Sequence, residues 1–368
     1  MVYLVDFIGV HCGMHYYLEA FKRILESIDG VKVGIVSNFS DTDERPILLN
    51  QYKGHKINKM ISAARNLWKL RRFISSHKDD RFIYLTYGNV LDPYFLKIIS
   101  KARYHCVDIH EALAQNEDSN LSLREKLANV YSKRIRNVIS HSTRTDDYLM
   151  QFGFEGRHYE VPHFKYVFPR DYDLDAIPEA LRKAVSKDKV NILFFGNITR
   201  EKGIDILLDA VNNISDKDAS RINVIVAGKD IDGVYRRVKL KSDRHVSFFT
   251  RHISDDELRF LYDNVDYLAL PYRKTSQSGI LEMAFYFKKP IIASDIPYFR
   301  KMLTLFPSFG YLDGNSSKDF SYALHEILKR KPSDFFNDED YAKYENRKEV
   351  EDFKTHFKEW LTSDNSLS

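Results

Sequence analysis

Strand-like apolar runs alternate with helix-like segments along almost the whole chain, and this alternation limits the fold more than any other feature. In the first half, the predicted strands are MVYLVDFI (1–8), VKVGIVSN (31–38), RFIYLTYG (81–88), YHCVDIH (104–110) and NVISHS (137–142). In the second half, they are VNILFFG (190–196), INVIVAG (222–228), HVSFFT (245–250), DYLALPY (266–272), KPIIASD (289–295) and FGYLDG (309–314). A chain with this repeated order forms parallel sheets covered by helices. The sequence therefore predicts an α/β protein that binds ligands at the carboxyl ends of its strands.

The alternation is interrupted near residues 165–188. There the segment HFKYVFPRDYDLD (163–175) fits neither period and carries Pro169. We therefore predict two Rossmann-like domains facing a cleft, the first at 1–168 and the second at 169–345. The remaining segment, 346–368, contains an amphipathic helix. Its apolar face is formed by Val350, Phe353, Phe357, Trp360 and Leu361.

The composition is that of a globular protein, and it argues against a nucleic-acid partner and against a disulfide or zinc framework. Apolar residues make up 43% of the 368 residues, and 56 basic against 52 acidic residues give a net charge of only +4. This balance does not favour nucleic acid as a partner. The two cysteines, Cys12 and Cys106, have neither disulfide nor zinc spacing and fit a reducing compartment. Because no leader and no run of about 18 apolar residues is evident, we expect a cytoplasmic protein.

The segment FFGNITREKG (194–203) joins a strand to a helix through a glycine-containing turn. Gly196 lets a ligand approach the backbone, and Arg200 and Lys202 can reach over the turn. This arrangement suits a phosphate. The alternative is that both cations are solvated surface residues. The spacing of the two glycines is not that of a dinucleotide-binding motif.

A second segment, DYLALPYRKTSQSGILEMAFYFKKPIIASD (266–295), places a helix after a strand. Ser276 and Ser278 are candidate N-caps, and a helix N-terminus there would suit a diphosphate. Glu282 lies one turn into the helix, where its carboxylate could accept hydrogen bonds from two ribose hydroxyls. The alternative is that Glu282 only balances charge at the helix end.

Taken together, these two segments resemble the donor domain of retaining glycosyltransferases of family 4 (group 1), which have the GT-B fold. The resemblance is strong over 190–330 and weaker in the first half, where GVHCGMHYYLEAF (9–21), VDIHEA (107–112) and VPHFKY (161–166) carry it. It implies that a nucleotide sugar, such as a UDP- or GDP-sugar, is the donor, that no cofactor or metal is needed, and that the last helix packs back on the first domain.

The resemblance also implies a role for each matching residue. Arg200 and Lys202 would hold the diphosphate as it leaves, and His110 would face the sugar; these three are the candidate catalytic residues. The remaining candidates would bind the donor. They are Gly13 on the first loop, Gly196 and Asn197 on the turn, the backbone at Ser278, Gly279 and Ile280, and Glu282 at the ribose.

Two positions depart from the family pattern. Many members have arginine where this chain has Asn197, and many have a second glutamate where this chain has Lys274. These departures favour an alternative, a catalytically weak or inactive relative that binds a nucleotide sugar or a partner glycosyltransferase. A nucleotide-sugar epimerase is a further alternative, but it would need acid and base carboxylates that the sequence does not display.

The segment HKINKMISAARNLWKLRRF (55–73) is basic, helical and free of acidic residues. Its apolar stripe is formed by Ile57, Met60, Ile61, Ala64, Leu67 and Trp68. This pattern is typical of a helix lying on an anionic membrane, although a core-facing helix with a solvated basic face would also display it. With the resemblance, it predicts an enzyme of bacterial capsule, O-antigen or exopolysaccharide synthesis on the inner face of the membrane. Its acceptor would be a glycan or a polyprenyl-diphosphate-linked glycan.

Overall fold

The computed structural model describes residues 1–7, 14–38, 47–110, 121–166, 168, 171–242, 245–275 and 277–362. The chain divides into two compact units, Met1–Tyr166 with Lys348–Ser368, and Val167–Arg347. Each unit contains one parallel sheet, of seven strands in the first and six in the second. The predicted fold class, α/β with two Rossmann-like domains, is thereby confirmed.

The first unit follows the strand–helix order of the sequence. Its elements are β1 (Val2–Asp6), α1 (His15–Glu26), β2 (Val33–Ser37), β3 (Ile47–Leu48), α2 (Lys56–Ser76), β4 (Arg81–Thr86), α3 (Asp92–Ile99), β5 (Tyr104–Ile109), α4 (Leu121–Arg134), β6 (Asn137–Ser140), α5 (Thr143–Gln151) and β7 (Arg157–Glu160).

The second unit repeats this order. Its elements are α6 (Glu179–Ala184), β8 (Val190–Phe195), α7 (Ile204–Asn213), α8 (Asp216–Ala219), β9 (Ile222–Ala227), β10 (Val246–Phe249), α9 (Asp255–Asn264), β11 (Tyr267–Leu270), α10 (Gly279–Tyr286), β12 (Ile291–Ser294), α11 (Pro297–Leu305), β13 (Gly310–Asp313), α12 (Ser317–Ile327) and α13 (Asp338–Glu345). The final helix, α14 (Lys348–Thr362), belongs to the first unit.

Both sheets have a point at which the strand order changes direction. The first sheet runs β3-β2-β1-β4-β5-β6-β7, and the second runs β10-β9-β8-β11-β12-β13. The order therefore reverses between β1 and β4 and between β8 and β11. In open parallel sheets, ligands bind beyond the carboxyl ends of the strands at this reversal. In the second sheet this is where the two predicted phosphate-binding segments begin, since one follows β8 and the other follows β11.

Helix α14 packs against the first unit through the apolar face read from the sequence. Phe353, Phe357, Trp360 and Leu361 are buried. The ring of Phe357 contacts Tyr159 of β7 at 5.0 Å between centroids, and Arg81 at the start of β4 donates a hydrogen bond to the carbonyl of Trp360 at 3.1 Å. The chain thus begins and ends in the same unit. Among the described helices, none is both long enough and apolar enough to cross a bilayer.

Candidate active site

The turn after β8 lies against the N-terminus of α10. Gly196 follows the last residue of β8 and has a φ of 101°, a conformation that side chains rarely allow. A Cβ atom at this position would lie 2.6 Å from Cδ1 of Ile280. The structure therefore brings Gly196 and Ile280, two predicted donor-binding residues from separate segments, into contact.

Ser278 caps α10 and so orients its first turn. The side chain of Ser278 is buried, and its Oγ accepts a hydrogen bond from the N–H of Leu281 at 3.3 Å. The N–H groups of Gly279 and Ile280 lie in the first turn, where a helix supplies no carbonyl partner. Such a terminus carries partial positive charge and binds anions. The other N-cap candidate, Ser276, and the predicted Gly13 lie outside the described residues.

Lys202 lies beside the end of β11. Its Nζ is 4.0 Å from the centroid of the Tyr272 ring, and Tyr272 follows β11 by two residues. The next residue, Gly203, has a φ of 67°, and a Cβ atom there would collide with the carbonyl oxygen of Pro271. The absence of a side chain at Gly203 thus lets the turn pack directly on the end of β11 and keeps Lys202 at the point where the strand order reverses.

Arg273 also fixes this turn, through hydrogen bonds to three of its residues or their neighbours. Its guanidinium donates to the carbonyl of Arg200 at 2.6 Å and to both carboxylate oxygens of Asp205 at 2.8 and 2.7 Å. Its backbone N–H donates to the carbonyl of Glu201 at 2.8 Å. Partial burial favours the neutral form of Asp205, but the Arg273 guanidinium holds the pKa of this carboxyl below its usual value. Arg273 was not among the predicted site residues, although its position after the strand-like run LALP was a usable signal.

Arg200 and Asn197 have exposed side chains. The backbone of Arg200 is nevertheless fixed, because its N–H donates to Oδ2 of Asp232 at 2.6 Å. The side chain of Arg200 can therefore approach a ligand from solvent, whereas Lys202 is already half-buried against Tyr272.

Glu282 lies in α10 but is fully buried. Oε1 and Oε2 accept hydrogen bonds from the Arg347 guanidinium at 3.1 and 3.2 Å, and Oε2 accepts another from the Tyr344 hydroxyl at 2.7 Å. Because this carboxylate is fully buried and already accepts three hydrogen bonds, ribose binding by Glu282 stays a prediction and requires the residues that cover it to move. Arg347 lies 65 residues later in the chain, and no local signal in the sequence links the two.

His110 lies in the first unit, at the end of β5, among buried polar groups. Oδ1 of Asp108 is 2.7 Å from Nε2 of His141, and Oδ2 accepts a hydrogen bond from the Tyr17 hydroxyl at 2.7 Å. Nε2 of His110 lies 3.8 Å from Oδ2 of the same carboxylate. The ring of Tyr17 meets the His110 ring edge-on at 4.0 Å between centroids. The sequence pointed to His110, whereas His141 and Tyr17 were not predicted.

The hydrogen bonds of His141 define where protons lie in this cluster. Its Nδ1 is 2.9 Å from the carbonyl of Val161, which can only accept, so Nδ1 carries a proton. The contact between Nε2 and Asp108 then needs one more proton between the two atoms. Burial alone would raise the pKa of Asp108, but His141, His110 and the hydrogen bonds from His141 and Tyr17 hold it below its usual value. Burial lowers the pKa of His110 to about 3, so this ring is neutral near pH 7.

Within the described part of the chain, Asp108, His110 and His141 form a group whose metal-ligating atoms lie within 4.8 Å of one another. Two imidazoles and a carboxylate are a donor set that divalent transition metals accept. The resemblance assigns no metal to the donor chemistry, so metal binding by this group is not part of the predicted mechanism.

Comparison with known proteins shows which family of domains the second unit resembles. Residues 189–330 match the family model described as glycosyl transferases group 1. This stretch includes Gly196, Lys202 and the whole of α10. This stretch of the second unit is therefore similar to group 1 glycosyltransferase domains, the resemblance that its motifs indicated.

Among curated proteins, the chain is similar to an uncharacterized 41.2 kDa protein in the cps region of Klebsiella pneumoniae. The two are 26% identical over 123 residues, a stretch that covers 33% of this chain and 32% of that protein. The chain thus aligns with about a third of the length of this relative.

Three solved structures are similar over nearly the whole chain. HepE (Alr3699) of Anabaena, in complex with UDP-glucose, has a TM-score of 0.65 and 15% identity, and the match covers 98% of this chain and 99% of that one. Sucrose-phosphate synthase of Thermosynechococcus elongatus has a TM-score of 0.67 and 14% identity, with 98% of each chain covered. WaaG, a glycosyltransferase involved in lipopolysaccharide biosynthesis, has a TM-score of 0.62 and 13% identity, covering 99% of this chain and 100% of that one. At these identities the likeness supports the fold.

Proposed function

We propose that this protein is a glycosyltransferase that moves a sugar from a nucleotide-sugar donor to a glycan or lipid-linked acceptor, with retention at the anomeric carbon. One observation carries the proposal: the turn at Gly196 contacts Ile280 in the first turn of α10, and the ammonium of Lys202 lies on Tyr272, just beyond the carboxyl end of the neighbouring strand β11. Each of the three offers either positive charge or close access to the backbone, which is what a diphosphate needs.

In this reaction the bond between the anomeric carbon and the diphosphate oxygen breaks, and the diphosphate keeps the electron pair. Negative charge therefore grows on the departing oxygen while the sugar gains positive character. The acceptor hydroxyl oxygen forms the new bond to the anomeric carbon and gives up its proton to the departing diphosphate. Lys202 and Arg200, with the N–H groups of Gly279 and Ile280, would stabilise that negative charge. The neutral ring of His110 would face the sugar, where it can donate or accept a hydrogen bond without repelling the developing positive charge.

The relatives support the donor and the setting. Two similar structures of HepE hold UDP with glucose, or UDP-glucose, and WaaG acts in lipopolysaccharide biosynthesis. The Klebsiella relative belongs to a cps region. We therefore assign to this protein a UDP-sugar, or else a GDP-sugar, as donor, and a role in bacterial surface polysaccharide synthesis such as capsule or O-antigen assembly.

The test is the replacement Lys202→Ala, compared with Lys217→Ala. Loss of one such electrostatic group typically raises the barrier by about 2.7–4 kcal/mol, so we expect turnover to fall about 100-fold or more for Lys202→Ala. Lys217 is an exposed residue of α8, and its replacement should leave turnover unchanged. Release of nucleoside diphosphate from a panel of nucleotide sugars is the measurement. Equal turnover in both variants would refute the role of Lys202.

The alternative is a weak or inactive relative that only binds a nucleotide sugar or a partner glycosyltransferase. The exposed Lys274 and Asn197, which replace charged residues common in the family, favour it. The two functions differ in one measurement. A binding protein would show a rise in melting temperature with a nucleotide sugar but no release of nucleoside diphosphate and no transfer.

We also propose that α2 holds the protein on the inner face of an anionic membrane. The helix turns Ala63, Asn66, Leu70, Phe73 and Ile74 towards the core. It leaves exposed the stripe formed by Ile57, Met60, Ile61, Ala64 and Trp68, with Met60 64% and Trp68 61% exposed. Lys56, Lys59, Arg65, Arg71 and Arg72 are exposed on the same helix. Apolar side chains beside cations are suited to anionic lipid, and an ordinary core-facing helix would bury this stripe.

The membrane contact is tested with Met60→Asp and its matched control Met150→Asp. The two methionines are similarly exposed, at 64% and 69%, but Met150 lies on α5. We expect Met60→Asp to weaken binding to vesicles containing phosphatidylglycerol at least about fivefold, since a carboxylate would face an anionic surface. The control should bind like the wild type. Failure of the wild-type protein to bind such vesicles at low salt would refute the contact.

A further inference from the structure

A basic pocket lies at the end of α2, on the side of the first sheet opposite to the carboxyl ends of the strands. It has a volume of about 500 Å³. Four cations line it: Arg71 of α2, Lys78 in the turn before β4, and Lys101 and Arg103 in the turn between α3 and β5. Because it lies at the amino ends of β4 and β5, this pocket is separate from both candidate active-site clusters.

The charge of the pocket exceeds what its surroundings neutralise. Asp79 is the acidic residue in the lining, and it lies 3.7 Å from Arg103 in an exposed pair. Within the described residues, Arg71, Lys78 and Lys101 have no ion pair. The C-termini of α2 and α3 also point here, and each contributes a partial charge of about −0.5. Subtracting Asp79 and the two helix ends from the four cations leaves a charge of about +2. The cations therefore carry more positive charge than is needed to neutralise the helix ends.

The pocket continues the exposed stripe of α2. Residues spaced by three, four or seven positions share one face of a helix. Trp68, Arg71 and Ser75 follow this spacing after Ile57, Ile61 and Ala64, and Arg71 and Ser75 line the pocket. A flat surface that touches the stripe would therefore also come near Arg71 and Ser75 of the pocket lining. Ile74 and Ile98 add an apolar part to its wall.

We propose that this pocket binds the phosphate-bearing headgroup of an anionic phospholipid when α2 lies on the membrane. The inference rests on the membrane contact proposed above and adds a specific site to it. The cations would meet the phosphate, and the volume of about 500 Å³ is large enough for a glycerophosphate headgroup. The apolar stripe would sit at the depth of the first acyl carbons.

The experiment compares two variants that each lose two positive charges from the first unit. The pocket variant is Lys101→Gln with Arg103→Gln, and the control is Lys97→Gln with Lys133→Gln, two exposed lysines outside the pocket. Binding is measured by sedimentation with vesicles of 30% phosphatidylglycerol in phosphatidylcholine. Since each cation at an anionic surface contributes about fivefold to binding, we expect the pocket variant, which lacks two, to lose about 25-fold and the control less than twofold. Glycerol 3-phosphate should compete with vesicles for the wild type.

The outcomes separate the possible sources of failure. Equal binding by the pocket variant and the control overturns the pocket. If inorganic phosphate and glycerol 3-phosphate bind the pocket but the pocket variant still binds vesicles like the wild type, the ligand is a free anion and the lipid proposal is overturned. If the wild type does not bind vesicles, both the membrane contact and the pocket are refuted. The stabilisation of all three proteins by a nucleotide sugar verifies their folding and tests the donor site independently.

Discussion

At the scale of single residues, burial sets the charge of His110. The ring lies among Tyr17, His141 and Asp108, and burial lowers its pKa to about 3 from an ordinary value of 6.5. A histidine that is neutral when folded but protonated when unfolded makes stability depend on pH. The sequence revealed the residue, because it follows a strand-like run, but not its environment. Tyr17 lies in α1 and His141 directly follows β6, and only the folded sheet brings both near His110.

This state of His110 predicts that acid destabilises the first domain. Between pH 6.5 and about 3 the unfolded ring binds a proton that the folded ring does not, so stability falls as pH falls through this range. The loss is at most about 1.4 kcal/mol per pH unit from this group. Urea unfolding at pH 7.5, 6.0 and 5.0 should show a smaller loss for His110→Asn than for the wild type.

The control for this prediction is His356→Asn, which changes an exposed histidine of α14. It should keep the full dependence on pH. His105, whose pKa burial also lowers, contributes part of the slope in every variant. Measurements above pH 4.5 avoid the titration of Asp108, whose lowered pKa adds stability that is lost only at lower pH. An unchanged slope in His110→Asn would mean that the ring is already protonated in the folded protein.

At the scale of elements, the turn between β8 and α7 depends on the absence of a side chain at Gly203. Gly203 and Gly233 have nearly the same φ, 67° and 66°, and both are in the second unit. A Cβ atom would collide with the carbonyl of Pro271 at Gly203, whereas no atom lies within 4 Å of the corresponding position at Gly233. Alanine at position 233 would therefore report the cost of backbone strain alone. Alanine at position 203 would report the same strain together with the collision against Pro271.

We predict that Gly203→Ala destabilises the protein more than Gly233→Ala. Both should lose about 1–2 kcal/mol from the left-handed conformation. Gly203→Ala should lose a further ~1–3 kcal/mol from overpacking, and its turnover should fall because Lys202 moves with the turn. Guanidinium unfolding and donor turnover are the measurements. Equal losses in the two variants would show that the turn relaxes away from Pro271 without consequence.

Elements with an apolar pattern could be predicted from the sequence, and polar or very short ones could not. Each predicted strand run overlaps an observed strand, since buried parallel strands are apolar on both faces. The strand β7 (Arg157–Glu160) was missed because its residues are mostly exposed and polar, and β3 (Ile47–Leu48) because it has two residues. The candidate site could likewise be predicted only where it depends on local sequence. Ser278 was predicted as an N-cap from its neighbours and is observed as one. Arg273 and Arg347 were not predicted, because their partners Asp205 and Glu282 lie more than 60 residues away in the chain.

At the scale of the whole molecule, the chain returns to its first unit at the end. Helix α14 buries Phe357 and Trp360 in that unit, where Phe357 contacts Tyr159 of β7. The strand β7 is an edge strand that pairs only with β6 among the described strands, so it depends on this cover. The stability of the first sheet therefore involves residues that follow the entire second unit in the chain.

We predict that Phe357→Ala destabilises the first unit by about 3–5 kcal/mol, the usual cost of removing a buried phenyl ring. Hydrogen exchange of the amides of β6 and β7 should become faster, while exchange in β8 and β9 changes little. Thr355→Ala is the control, because Thr355 is exposed on the same helix. Faster exchange confined to α14 itself, with β7 unaffected, would contradict this dependence.

The buried pair of Glu282 and Arg347 has a consequence for how the sequence can change over time. Arg347 is the last residue of the second unit, and the next residue, Lys348, begins α14. Loss of either charge alone would leave the other charge buried and unpaired, a change that typically costs about 3–5 kcal/mol in folding stability. Related chains should therefore alter the two positions jointly, keeping acid with base or replacing both by neutral residues. Such covariation would link α10 to the point at which the chain leaves its second unit.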